Sequence, residues 1–125
     1  MEGRSPELML AQDRLAREKA GRELGEILDS KLFKALCEPV RVEIVIFLTV
    51  EGRCDVGTIS ESFPQDGSVI SRHLAVLHEA GILRREKEGR HVFFELDGPG
   101  IVDQMDAILE RCKNVLPLCC MPSRS

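Results

Sequence analysis

The 125-residue sequence predicts a mainly α fold carrying one β-hairpin, in the order helix, helix, short helix, tight turn, helix, hairpin, helix. Three observations predict it. Apolar residues recur at intervals of three and four over most of the chain. The period drops to two only at Val92, Phe94 and Leu96, after a turn at Glu88-Gly89. Gly and Pro punctuate the joints at Pro39, Pro64, Gly81 and Gly98-Pro99-Gly100.

The first helix is expected from Pro6 to about Leu36, with Gly21 and Gly25 as its weak points. Leu8, Ala11, Leu15, Leu24, Ile27 and Leu28 carry the helical spacing. Pro39 suits the first turn of the next helix, which runs to about Val50 and buries Val40, Ile44, Phe47 and Leu48. Gly52 ends it. Asp55 is a good N-cap for a short third helix, where Val56, Ile59 and Phe63 share a face until Pro64. Gln65-Asp66-Gly67 turns the chain. Asp66 or Ser68 caps a fourth helix reaching Ala80, and Gly81 closes it. Residues 82–96 form the hairpin. Gly98-Pro99-Gly100 breaks the chain before a last helix from Ile101 to about Val115. This organisation reads as one domain over residues 1–116 and a cysteine-containing tail over 117–125.

Composition excludes several function classes. Apolar residues make 43% and charged residues 30%, as in a globular domain with a modest core. Aromatics make only 4%, with no Trp or Tyr, which argues against a base-stacking platform for single strands. The longest apolar stretch, Val42 to Val50, contains Glu43 and cannot span a bilayer. No apolar signal segment opens the chain, so a cytoplasmic protein without a membrane partner is expected. No phosphate-binding Gly loop, Ser/His/Asp pattern or Cys-x-x-Cys is present, so an enzyme is not expected.

The net charge of −4 is unpromising for nucleic acid, but its distribution matters more. Between Ser68 and Glu95, five basic residues face four acidic ones, leaving +1 there and −5 elsewhere. All three histidines lie in that stretch.

Two helices joined by a tight Gly-containing turn make a helix-turn-helix, and a hairpin directly after the second makes it winged. On the wheel of the fourth helix, Ile70, Leu74, Leu77 and Gly81 face the core. Ser68, Ser71, Arg72, Ala75 and Glu79 fall opposite. Short side chains let a backbone approach the major groove, and Arg72 can donate to guanine or phosphate. An ordinary solvated face carries the same pattern. His73 sits on the flank, as a DNA contact or a structural hydrogen-bonding residue, and His78 reads as structural. Arg85, Lys87 and Arg90 suit a wing that contacts phosphates.

The runs LFKALCEPVRVEIVIFL and SVISRHLAVLHEAGILRREKEGRHVFFEL resemble the ArsR/SmtB family of winged-helix repressors over Leu32 to Leu96. The resemblance implies a homodimer that binds double-stranded operator DNA at an inverted repeat and leaves it when an inducer binds. It also implies dimerisation by the outer helices. The family's third-helix metal site reads Cys-Val-Cys-Asp, whereas this chain has Gly52-Arg53-Cys54-Asp55. The last-helix zinc site uses Asp/His pairs, whereas this chain offers Asp103, Met105, Leu116 and Cys119. A zinc or nickel sensor of that type is therefore not expected. Gly67 stands where the family often has Gln, so base preference does not carry over.

Five cysteines remain as the sensing candidates. Ile101, Met105, Ile108, Cys112 and Val115 follow a four-three-four-three spacing, a coiled-coil-like seam that joins Leu8 and Leu15 as dimer-interface candidates. Cys112 is either a thiol at the edge of that interface or a small buried hydrophobe. Cys119 and Cys120 are adjacent thiols past Pro117. Thiolates without His or carboxylate neighbours select soft ions. Trivalent arsenic or antimony, inorganic or methylated, fits Cys119 and Cys120, with Cys112 completing a three-thiol site. Cys54 is the next ligand candidate, and Cys37 is expected to face the core before Pro39. Two other readings stay open: a redox or reactive-sulfur sensor on the same scaffold, and a thiol-based metal carrier that does not bind DNA.

Overall fold

A computed structural model describes residues 6–118, with side chains described from residue 11 onward. Its elements are α1 (Pro6–Leu28), α2 (Lys31–Ala35), α3 (Pro39–Glu51), β1 (Cys54–Asp55), α4 (Val56–Glu61), α5 (Gly67–Glu79), β2 (Leu83–Glu88), β3 (His91–Leu96) and α6 (Gly98–Val115), then a 3-10 turn at Leu116–Leu118. They form two compact units. One holds residues 30–104, and the other joins α1 to the chain from Met105 on.

The expected helix from Pro6 to Leu36 is two helices. It breaks at Asp29-Ser30, not at Gly21 or Gly25. Ser30 is extended, and its Oγ accepts from Phe33 N at 3.2 Å, which starts α2. A Gly inside a helix costs only about 1 kcal/mol relative to Ala, so Gly21 and Gly25 stay helical. Glu38 caps α3 by accepting from Val40 N at 2.7 Å, with Pro39 in the first turn as expected. Ile44 and Leu48 are buried, whereas Val40 and Phe47 are only half-buried. Phe47 instead meets Phe63 edge to face at 5.6 Å.

The core of the 30–104 unit gathers Leu32 from α2, Ile44 and Leu48 from α3, Ile59 from α4, and Ile70, Leu74 and Leu77 from α5. Asp66 caps α5, accepting from Ser68 N at 3.3 Å and from Ser68 Oγ at 2.6 Å. At its other end Gly81 N donates to His78 O and Ile82 N to Leu77 O, both at 3.0 Å. This is the Schellman arrangement, and it needs a left-handed residue between the two donors. Gly81 supplies it, with φ 78°. Leu77 and Ile82 are both buried beneath the turn.

The hairpin belongs to a three-stranded antiparallel sheet in the order β1-β3-β2. Cys54 pairs with Phe94 and Asp55 with Phe93. This two-residue strand was not expected from the sequence. The β2–β3 turn is Gly89-Arg90, one residue later than expected, with Gly89 at φ 61°. Because β3 is central, its burial does not simply alternate: Phe94 is buried, and Val92, Phe93 and Leu96 are half-buried.

Gly98-Pro99-Gly100 is not a break. It is the first turn of α6, where Gly100 N donates to Asp97 Oδ1 at 3.0 Å. Proline is tolerated there because a first-turn N–H has no helical partner. In the other unit, Ala20, Ile27 and Val115 are buried, and Arg111 lies 3.7 Å from Glu26. Among the described residues no helix is long and apolar enough to cross a membrane.

Candidate nucleic-acid interface and thiols

Core packing of Ile70, Leu74 and Leu77 fixes the rotation of α5 and turns the opposite face outward. Ser68, Ser71, Arg72, Ala75 and Glu79 are all exposed. The Ser68 hydroxyl donates to Asp66, so its donor is committed to the cap while its lone pairs stay open. Those hydrogen bonds hold the Asp66 carboxyl below its ordinary value, and the Arg72 charge adds to the effect.

His73 is half-buried on the flank. Its Nδ1 lies 3.2 Å from Arg41 Nη1. Arginine can only donate, so His73 accepts there through an unprotonated Nδ1. The same Arg41 donates from Nε to Ala35 O at 2.7 Å and from Nη2 to Lys34 O. One side chain of α3 thus ties the end of α2 to α5. His78 is exposed and sets its ring edge against Phe94, 6.5 Å between centroids.

Strand alternation places Arg85 and Lys87 on one face of the wing and Glu86 and Glu88 on the other. Arg85 lies beside α5: with Ser71, Ala75, Val92 and Phe94 it lines a cleft of about 340 Å³ between helix and wing. Arg90 is exposed in the turn. Among the described residues, Arg72, Arg85, Lys87 and Arg90 make no ion pair. The wing acids do. Arg53 Nη2 lies 3.0 Å from Glu86 Oε1 and 2.6 Å from Glu88 Oε2, and its guanidinium stacks 3.9 Å from the centroid of Phe93.

The thiols are less gathered. Cys37 is exposed rather than core-facing, because it follows the last turn of α2 instead of lying within it. Its Sγ donates to Phe33 O at 3.2 Å. Cys54 is half-buried on β1, and burial, with Glu51 and Asp55 adding their charge, pushes its thiol up from the usual value. Cys112 is half-buried on α6. Cys119 and Cys120 lie outside the described residues, as does the Leu8 side chain. Among the described residues no three metal-ligating side chains cluster. Of the expected seam, Val115 is buried, Ile101 and Ile108 are half-buried, and Met105 is exposed, as is Leu15 on α1. Val102 and Leu109 are also exposed and continue the Met105 face.

Arg41 and Arg53 were not singled out from the sequence. Their side-chain partners lie 32 to 35 positions away, and no local pattern marks such pairs.

Comparison with known proteins decides the family. The model of the arsR family of bacterial regulatory proteins matches residues 38–85. The arsenic resistance transcriptional regulator ArsR1 of Pseudomonas putida is 33% identical over 91 residues, covering 72% of this chain and 70% of that one. The chain belongs to the ArsR family. A cadmium resistance regulatory protein, a CadC homolog of Staphylococcus aureus, is 41% identical over 71 residues. The arsenical resistance operon repressor of Escherichia coli is 37% identical over 70 residues. This ArsR-family chain spans 56% of the staphylococcal protein and 60% of the E. coli one. A solved possible transcriptional regulator for arsenical resistance matches with TM-score 0.54 and 36% identity, over 62% of this chain and 78% of that one. The winged helix-turn-helix expected from the sequence is therefore the fold of this family member, and its relatives are transcriptional regulators rather than enzymes.

Proposed function

We propose that this chain is a homodimeric repressor released from operator DNA by a thiophilic metalloid or metal, with trivalent arsenic, inorganic or methylated, as the inducer. The observation that carries the DNA half is a single exposed surface. Ser71 and Ala75 of α5 line one cleft with Arg85 of the wing, Arg72 is exposed on the same helix, and among the described residues Arg85, Lys87 and Arg90 make no ion pair. An α-helix with small residues and one Arg fits a major groove, and flanking cations fit phosphates. His73 and Ser68 complete the contact set from the flank and the N-terminal turn.

A +1 surface binds weakly alone, so the operator needs two copies. Met105 and Leu109 of α6 and Leu15 of α1, exposed apolar side chains of one unit, are the surface offered to a second copy. Two recognition helices would then meet major grooves about 10 base pairs apart on an inverted repeat.

The inducer half rests on thiol chemistry. Cys112, Cys119 and Cys120 fall within nine positions, and a soft three-coordinate ion takes thiolates in preference to oxygen. Two relatives are named for arsenic resistance and one for cadmium resistance. The test is binding of the reduced protein to the DNA upstream of its own gene. Arsenite, a methylated trivalent arsenical, cadmium and an oxidant are added in separate arms. Release by the arsenicals is expected. Absence of binding in every arm overturns the DNA reading, and release by oxidant alone moves the function to thiol oxidation.

A further inference from the structure

Arg53 lies outside the hairpin yet takes up both acids of β2. We infer that Arg53 is a positioning residue for DNA binding: by bridging Glu86 and Glu88 and stacking on Phe93, it keeps the wing's negative charge from opposing a phosphate backbone. This inference rests on the DNA-binding reading above.

The geometry is specific. Arg53 follows Gly52, which ends α3 at φ 80°, and precedes β1, so the guanidinium reaches the hairpin from outside it. A single Nη2 meets both carboxylates, at 3.0 and 2.6 Å. The Arg53 Cζ lies over the Phe93 ring, 3.9 Å from its centroid. Phe93 sits opposite Glu86 in the ladder, so stack and ion pair lie on the same face of the sheet. Lysine lacks both the planar face and the fork.

Charge explains why the wing needs this. Residues 84–90 hold four cations, Arg84, Arg85, Lys87 and Arg90, against two acids. A hairpin is thin, and Glu86 and Glu88 are more than half exposed. Their field therefore reaches a polyanion lying against the opposite face, within about one Debye length. Exposed ion pairs add little to folding, so the effect of this cluster should be read in binding rather than in stability.

The test uses fluorescence anisotropy of the full chain on a generic labelled duplex of mixed sequence, across a salt series. Arg53→Gln should weaken binding about threefold to tenfold at low salt, with the difference shrinking as salt rises. Arg53→Lys should fall between. Adding Glu86→Gln and Glu88→Gln to Arg53→Gln should restore at least wild-type affinity, and in that glutamine background Arg53→Gln should add no further loss, whereas a direct phosphate contact by Arg53 would still be lost there. Circular dichroism and thermal unfolding of each variant confirm that it is folded. A folded Arg53→Gln that binds like wild type, or a loss that the glutamine pair fails to rescue, overturns the inference while leaving the DNA reading intact. A wild-type chain that binds neither this duplex nor its own upstream DNA overturns both.

Discussion

Arg41 Nη1 lies 3.2 Å from His73 Nδ1, while its Nε donates to Ala35 O at 2.7 Å. The guanidinium therefore holds both the flank of α5 and the end of α2, which leaves Ala35 O without this donor if Arg41 is removed. Arg41→Met keeps much of the stem but none of the donors. It should destabilise folding by about 1–3 kcal/mol, the cost of leaving a buried acceptor unpaired. A urea midpoint unchanged from wild type would show that the contact contributes nothing.

The turn after α5 makes a second prediction. Gly81 sits at φ 78°, and a Cβ there would stand 2.7 Å from Gln104 Nε2. That amide donates to Ala80 O at 2.9 Å, so it cannot simply swing away without losing a bond. Gly81→Ala should cost about 1–2 kcal/mol from left-handed backbone strain, plus the displaced hydrogen bond. In a Gln104→Ala background the same change should cost less, because only the backbone strain remains. Equal costs in the two backgrounds, by thermal or urea unfolding, would remove Gln104 from the account.

Acid should loosen α5 through Asp66. Hydrogen bonds from Ser68 hold its folded-state carboxyl below the ordinary 3.8. The unfolded chain therefore binds the proton more readily than the folded one. The cap's contribution is complete above the ordinary value and drains as pH falls through the lower folded value. Urea midpoints of wild type and Asp66→Asn should converge as pH drops below 3.8. A gap between them that stays constant with pH would mean the charge is not what the cap uses.

These elements differ in how legible they were. Ile70, Leu74 and Leu77 on one face of α5 followed directly from spacing, because burial of a helical stripe is a local rule. The Asp66 cap and the Gly81 stop were equally local. The breaks that went wrong were local too, but two signals competed. Gly21 and Gly25 are the stronger breaker signals in sequence, but Ser30 has the capping hydroxyl that starts α2. Asp97 starts α6 by accepting from Gly100 N, and Pro99 stands in the first turn, whereas a Gly-Pro-Gly run is also a strong signal of a stop. The strand at Cys54–Asp55, the Arg41–His73 hydrogen bond and the ion pairs of Arg53 are different in kind. They depend on which distant segments the fold brings together, and no single window of sequence contains both partners.

Arg72 and Arg90 should separate two kinds of DNA contact. Arg72 lies on the exposed face of α5, and Arg90 at the tip of the wing. Arg72→Ala should weaken binding to the operator by about 1–3 kcal/mol and relax its sequence preference at one position. Arg90→Ala should weaken all duplexes alike and lower the salt slope by about one. A changed sequence preference in the Arg90 variant, or unchanged operator binding in the Arg72 variant, would reverse these assignments.

The thiols give the last prediction. Cys54 binds its proton more tightly than an ordinary thiol, because burial and the charges of Glu51 and Asp55 disfavour its thiolate. A soft ion must displace that proton, so Cys54 starts at a disadvantage near neutral pH. Its alkylation rate should still be climbing at pH 9.0, the value at which an unperturbed thiol is half ionised. Cys119 and Cys120 are adjacent in sequence, and their sulfurs can approach one ion with little chain entropy lost. Cys112 lies seven residues before Cys119, on α6 next to the exposed face of Met105 and Leu109. An ion joining these thiols would pull on that face, and a coupling of about 1–3 kcal/mol would lower DNA affinity several-fold to a hundredfold. Cys119→Ser with Cys120→Ser should therefore leave thermal unfolding, dimer mass and DNA binding unchanged, and should abolish release by arsenite. Cys37→Ser, at an exposed site away from these residues in sequence, should respond like wild type. Release of the tail double variant at the wild-type arsenite concentration would rule the tail thiols out, and loss of release in Cys54→Ser alone would move the sensing site to β1.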